Sequence, residues 1–137
     1  GQKAFLANDE GLESGLMIVQ YVAAAVIAEL SLLSNPISTT NIPVSMGKED
    51  HVSMGATASY RTFKASKLLS SVISSELICS CQALDNILEK PSESVGKIHN
   101  WLRSYVSKID GDRSTTEDTE TIARMLLTPE FIEIFRK

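Results

Sequence analysis

The sequence predicts an all-α protein, a bundle built on long helices. Two apolar segments with helical spacing carry that expectation, each closed by a proline, and shorter amphipathic segments follow them. The first runs from Leu12 or Ser14 to Ser34, where Asn35-Pro36 ends it. The second runs from about Ala56 to Glu89 and is stopped by Pro91. At 137 residues the chain has the length of one domain, or of a piece of a larger one. By character it divides into residues 1-90, a long-helix core segment with a candidate active-site loop at 35-54, and residues 91-137, a segment of short helices.

Taken in order, Gly1 to Gly11 reads as an irregular lead-in, with Asn8-Asp9-Glu10-Gly11 as a turn cluster. The opening residues lack an initiator Met and read as the start of a processed product or an excerpt. They also lack the apolar stretch of a signal peptide. The first helix is apolar nearly all round, through Leu16, Met17, Ile18, Val19, Val22, Val26, Ile27 and Leu30. Such a helix is expected to be buried on all sides. Its run Gly15 to Ala28 is too short for a membrane span, which needs about twenty apolar residues, and reads as core.

The second helix carries Tyr60, Phe63, Leu68, Leu69, Val72, Ile73, Leu77, Ile78, Leu84, Ile87 and Leu88 at three- and four-residue steps. Its opposite positions are largely serine: Ser66, Ser70, Ser71, Ser74, Ser75 and Ser80. A solvated face would carry Lys and Glu, so a serine face implies another helix packed close. As a rod it would be on the order of 50 Å long. A compact domain of this size has a radius of gyration of only about 14 Å. Such a rod requires a larger bundle, made from more chain or more chains.

The tail holds a shorter amphipathic helix over Val95, Ile98, Leu102, Tyr105, Val106 and Ile109, with Trp101 beside the stripe. Asp110-Gly111-Asp112-Arg113 is a turn. It is not a calcium loop, since its glycine falls at the second position rather than the sixth and no Glu stands at the twelfth. Ser114 to Glu117 offers N-caps for a helix bearing Ile122, Met125 and Leu126, and Thr128-Pro129-Glu130 opens a last helix reaching Phe135.

The formal charge of −4 gives no basic footprint for nucleic acid. Cys79 and Cys81 point to different faces and lack companion ligands. They read as buried thiols in a reducing compartment, which fits a cytoplasmic protein without a metal.

Ionisable residues concentrate in the long connection between the two helices, at Lys48, Glu49, Asp50 and His51. Connections of about twenty residues are uncommon in compact domains and are usually functional or disordered; this one is too rich in Ile, Val and Met for disorder. By its residues alone the cluster has three readings. The acidic groups could cap the helix that follows. They could hold a metal with His51, although a lone histidine and two adjacent carboxylates rarely converge on one ion. Or a carboxylate at a helix start could serve proton transfer or hold a substrate ammonium.

Gly47-Lys48-Glu49-Asp50-His51-Val52-Ser53-Met54 resembles the Asn-Gln-Glu-Asp-His-Val-Ser-Met segment of histidine ammonia-lyases, in the aromatic amino acid ammonia-lyase family. Ala4-Phe5-Leu6 and Gly11-Leu12-Glu13-Ser14-Gly15-Leu16-Met17-Ile18 resemble that family's Ala-Phe-Leu and Gly-Leu-Asn-Ser-Gly-Phe-Met-Ile. Cys81-Gln82-Ala83-Leu84-Asp85 resembles its Cys-Gln-Gly-Leu-Asp, and Asp110 to Ser114 falls where it has an acidic Asp-Arg-Pro turn. The resemblance covers the chain in order and implies the C-terminal part of an ammonia-lyase-type helical fold.

The resemblance also implies a function. Glu49 falls on the family's active-site glutamate, which is an amide in phenylalanine-type relatives. Met17 falls on a substrate-pocket position that is Met in histidine enzymes and Lys in plant phenylalanine enzymes. Both favour L-histidine, whose imidazole and ammonium offer N–H donors to a carboxylate, and urocanate as the product. Lys48 departs from the usual Gln; it sets a cation beside Glu49, where it would modulate that residue and substrate choice. Family members carry 4-methylidene-imidazol-5-one, cyclised from an Ala-Ser-Gly. This sequence has none, since Ala58-Ser59 is followed by Tyr60 and Ser14-Gly15 is preceded by Glu13. The group is therefore expected from outside this chain, and this stretch alone is not expected to be active. The implied partners are the remainder of the enzyme, a homotetramer around a central helical bundle, and a small amino-acid substrate, with no nucleic acid or membrane. Two alternatives stand beside this: another aromatic amino acid ammonia-lyase or aminomutase, and a non-catalytic helical assembly module.

Overall fold

Helical periodicity becomes helix throughout. The computed structural model describes residues 2–39, 41–87 and 89–136, with five α-helices: α1 (Met17–Leu33), α2 (Gly55–Asp85), α3 (Glu93–Arg103), α4 (Thr116–Met125) and α5 (Pro129–Glu133). Single 3-10 turns occupy Ala4–Leu6, Ile37–Thr39 and Ser45–Gly47. Among the described residues there is no strand, only an isolated bridge between Glu10 and Glu13. The all-α expectation holds, and its two longest helices are the two observed. Gly1, Thr40, Leu88 and Lys137, which fall in the expected lead-in, loop, second helix and tail, lie outside the described residues.

The helix ends differ from expectation for local reasons. α1 begins at Met17 rather than at Leu12 or Ser14, because Gly11 and Gly15 have φ of 100° and 53° and cannot lie in a right-handed helix. α2 closes at Asp85, short of Glu89. Asn86 takes the cap, and the Asp85 carboxylate is drawn to α3, where it meets His99 Nε2 at 2.7 Å and Arg103 Nη2 at 2.6 Å. α3 starts on Ser92, whose Oγ accepts from Val95 N at 3.5 Å, and ends on Arg103, so Val106 and Ile109 follow the helix yet remain buried. α4 has Glu117 and Asp118 in its first turn and Arg124 in its last, each matching the sign of the helix dipole.

α1 and α2 run antiparallel. At one end Glu29 pairs with Lys64 at 2.7 Å, and Arg61 Nη2 donates to the carbonyls of Leu32 and Leu33 at 3.1 and 2.8 Å. At the other end lies the core: Leu16 and Val19 against Ile78 and Cys81, closed over by Trp101, Leu102, Val106, Ile109 and Ile122. Burial pushes the thiols of Cys79 and Cys81 up from their ordinary range, which leaves them poor nucleophiles.

The serine side of α2 is the inner side. Ser70, Ser74 and Ser75 are buried, and Ser74 Oγ donates to the Thr119 carbonyl of α4 at 2.7 Å, so a helix does pack closely there. Ser70 and Ser75 satisfy their hydroxyls on α2's own carbonyls, those of Lys67 and Ser71. The apolar stripe of the N-terminal half of α2 faces outward instead, with Tyr60 69% and Phe63 58% exposed. α1 corrects its expectation as well. Only Val19 is buried, while Ile18, Tyr21, Val22, Ile27 and Leu32 are exposed, because one copy of this chain has too few helices to surround it. The stretch Met17–Thr39 is long and apolar enough to cross a membrane, and 6% of its most apolar window is buried within the chain.

That exposure predicts the behaviour of the isolated chain. Soluble monomers rarely show apolar patches beyond several hundred Å². The 137-residue chain on its own should therefore self-associate or lose its fold at micromolar concentration. Sedimentation velocity reads this directly, and a monodisperse, fully helical monomer would count against it.

Candidate active site

Glu49 stands in a segment whose backbone is held in an uncommon shape. Ser45, Met46 and Gly47 have φ of 51°, 58° and 75°, so two residues with side chains sit in the left-handed region ahead of Lys48. Such residues cost on the order of 1–3 kcal/mol each and gather at active sites and ligand clamps. The turn is closed by Gly47 N to the Val44 carbonyl at 2.9 Å and Lys48 N to the Ser45 carbonyl at 3.2 Å. Lys48, Glu49, Asp50 and His51 all emerge exposed.

Helix capping does not explain Glu49. α2 begins at Gly55, has no acidic residue in its first turn, and takes its side-chain contact from Ser53 Oγ, which accepts from Gly55 N at 3.3 Å. Among the described residues no hydrogen bond or ion pair involves the side chains of Lys48, Glu49, Asp50 or His51. No group of three or more metal-ligating side chains is found among them either. Glu49 is a carboxylate presented outward, without a hydrogen-bond or ion-pair partner among the described residues.

Met17 occupies the other end of the α1–α2 pair. It is half-buried at the first turn of α1 and lines an open depression of about 350 Å³ with Phe5, Gln20, Tyr21 and Ala24. About 24 Å of helix separates Met17 from Leu33, where the connection to Glu49 sets out. No wall of this depression comes from residues 41–54. One copy of the chain therefore does not bring Met17 together with Lys48 and Glu49.

The start of α1 beside Met17 is fixed by contacts that no local pattern announces. Leu16 N donates to the Phe5 carbonyl at 2.8 Å, and Phe5 and Leu6 are themselves left-handed, with φ of 53° and 56°. A β-carbon on Gly15 would lie 2.5 Å from that same carbonyl oxygen. Gly15→Ala should then cost at least about 2–3 kcal/mol, from the left-handed φ and the displaced carbonyl together. The check is thermal melting of the complete protein; a melting temperature equal to the parent's would show that the lead-in packs differently.

Sequence reasoning also passed over a polar latch at the end of α2. Gln82 is 1% exposed; its Nε2 donates to the Ile109 carbonyl at 2.8 Å and its Oε1 accepts from Ile109 N at 3.1 Å. Beside it Arg103 reaches both Asp85 and the Val106 carbonyl. The only sequence signal for this was the Cys-Gln-Ala-Leu-Asp motif.

The sequence model described as "Aromatic amino acid lyase" matches residues 1–104, and the chain belongs to that family. The chain is 39% identical over 134 residues to histidine ammonia-lyase of Myxococcus xanthus, covering 97% of this chain and 26% of that one. It is 41% identical over 132 residues to probable histidine ammonia-lyase of Thermoplasma acidophilum, covering 96% and 27%. Among solved structures, histidine ammonia-lyase from Trypanosoma cruzi superposes with a TM-score of 0.90 at 29% identity, over 97% of this chain and 26% of that one. Tyrosine aminomutase from Streptomyces globisporus gives 0.90 at 28% identity, over 98% and 26%. The chain thus spans about a quarter of the length of the curated relatives it matches.

Proposed function

We propose that this chain is the C-terminal portion of a histidine ammonia-lyase, which eliminates ammonia from L-histidine to give urocanate. The observation that carries the reading is Glu49: within the family's motif, it is exposed just beyond the left-handed turn of Ser45 to Gly47 and absent from the cap of α2. In the reaction the Cα–N bond breaks, a β-proton is lost, and a Cα=Cβ double bond forms. Glu49 holds the substrate's N–H donors or takes a proton. Met17 lines the pocket, and Lys48 modulates Glu49.

The 4-methylidene-imidazol-5-one group of the family does not fit the residues present, because no Ala-Ser-Gly occurs in this sequence. It is assigned to the remainder of the enzyme, and no step is drawn through it. Since Met17 and Glu49 lie apart in one copy, the site is composed between copies of the subunit in a homotetramer. The outward apolar faces of α1 and α2 suit protein covering in that assembly better than a membrane. The compartment proposed is the cytoplasm.

A second reading, an aminomutase or a lyase for another aromatic amino acid, is favoured by Lys48 in place of Gln and by the fold shared with tyrosine aminomutase. Assaying the complete protein on L-histidine and on L-tyrosine decides between them. Urocanate absorbance from histidine is the expected result; turnover of tyrosine alone would establish the second reading. No turnover of any aromatic amino acid would leave a helical assembly module.

A further inference from the structure

We infer that Asp112 is a positioning residue for the pocket wall formed by Phe5 and Met17, an inference that rests on the ammonia-lyase reading of that pocket. The Asp112 carboxylate accepts from two successive amides just ahead of α1: Ser14 N to Oδ2 and Gly15 N to Oδ1, both at 2.9 Å. Each is a charge-assisted bond, and the negative charge sits at the positive end of α1. The grip passes directly into the pocket. Gly15 is seated against the Phe5 carbonyl, Leu16 N donates to that carbonyl, and the next residue is Met17. Phe5 and Met17 then line the same depression. The neighbouring Asp110 anchors the turn separately, accepting from Asn8 Nδ2 at 2.7 Å. Asp112 can therefore be altered without freeing the whole turn from the lead-in. Asp112 touches no substrate itself; it sets the entry of α1 and with it the pair of side chains that meet the substrate.

The test is Asp112→Asn in the complete enzyme, since Asn keeps the shape but turns an NH₂ toward an amide that needs an acceptor. KM for L-histidine should rise about tenfold while kcat stays within about threefold, because the wall shifts and the reacting groups do not. Ser74→Ala, which removes the bond to the Thr119 carbonyl on another face of α2, is the stability comparison and should leave KM unchanged. If Asp112→Asn behaves like Ser74→Ala, with a lower melting temperature and the parent KM, the positioning role is overturned. Should Asp112→Asn not fold, Asp112→Glu keeps the charge and moves the carboxylate by one methylene; an unchanged KM there overturns the role equally. Met17→Ala separates the two layers. A raised KM in Met17→Ala with none in Asp112→Asn removes Asp112 alone, whereas an unchanged KM in Met17→Ala overturns the pocket reading and the inference with it.

Discussion

Glu49→Gln in the complete enzyme should reduce turnover of L-histidine by about 10²–10⁴-fold if the carboxylate is the base, with the melting temperature unchanged. Glutamine keeps the volume and one acceptor but loses the charge and the basicity. If the carboxylate only holds the substrate's N–H groups, the loss is one charge-assisted contact, about 1.5–3 kcal/mol, and it appears in KM more than in kcat. The unchanged melting temperature is as important as the kinetics. A capping carboxylate would cost on the order of 1 kcal/mol of stability when neutralised. Here the side chain that meets the first amide of α2 is Ser53, and Glu49 stands six residues ahead of Gly55 with no partner among the described residues. Steady-state kinetics and melting of the same two proteins therefore separate the roles. Parent turnover with a lowered melting temperature would move Glu49 from the site to the scaffold.

What the sequence makes legible here follows the range of the interactions. α2 was readable because its periodicity and the following proline are local, and the family motif around Glu49 is contiguous. The burial of its apolar stripe was not. Tyr60 and Phe63 obey helical spacing and still point outward, because no described element of this chain covers them. The serines were the better guide: small residues mark close approach, and Ser74 meets α4 as a close-packed serine should. α1 starts later than its apolar periodicity suggests because Gly15 is left-handed and seated against the Phe5 carbonyl, a pairing with no local signature. Asp110 and Asp112 read in sequence simply as part of a turn, and in the structure they hold Asn8 and the entry of α1 from about a hundred residues away. For the site, residue types were legible and geometry was not. Met17 and Glu49 both stand out in sequence, but nothing in their spacing shows that one copy holds them at different ends of a helical pair.

Gln82→Met should destabilise the fold by about 2–6 kcal/mol although it conserves volume. Methionine fills the space and removes both polar partners. It leaves the N–H and C=O of Ile109 facing an apolar side chain in a site where Gln82 is 1% exposed. An orphaned buried backbone group costs about 1–3 kcal/mol, and this change orphans two on one residue. Gln82→Glu should do no better: the carboxylate can still accept from Ile109 N, but it sets a buried negative charge against the Ile109 carbonyl. The effect should be local before it is global, because the latch ties the end of α2 to the segment leading from α3 to the Asp110–Arg113 turn. Hydrogen exchange by mass spectrometry on the peptide containing Ile109 reads it, with protection falling on the order of thirtyfold or more for a loss of about 2 kcal/mol. Since that turn carries Asp112, loosening it should also reach the start of α1, so exchange at Ser14 and Gly15 should rise in the same experiment. If Ile109 in the Gln82→Met protein stays as protected as in the parent, some other group holds that amide and Gln82 is only filling space.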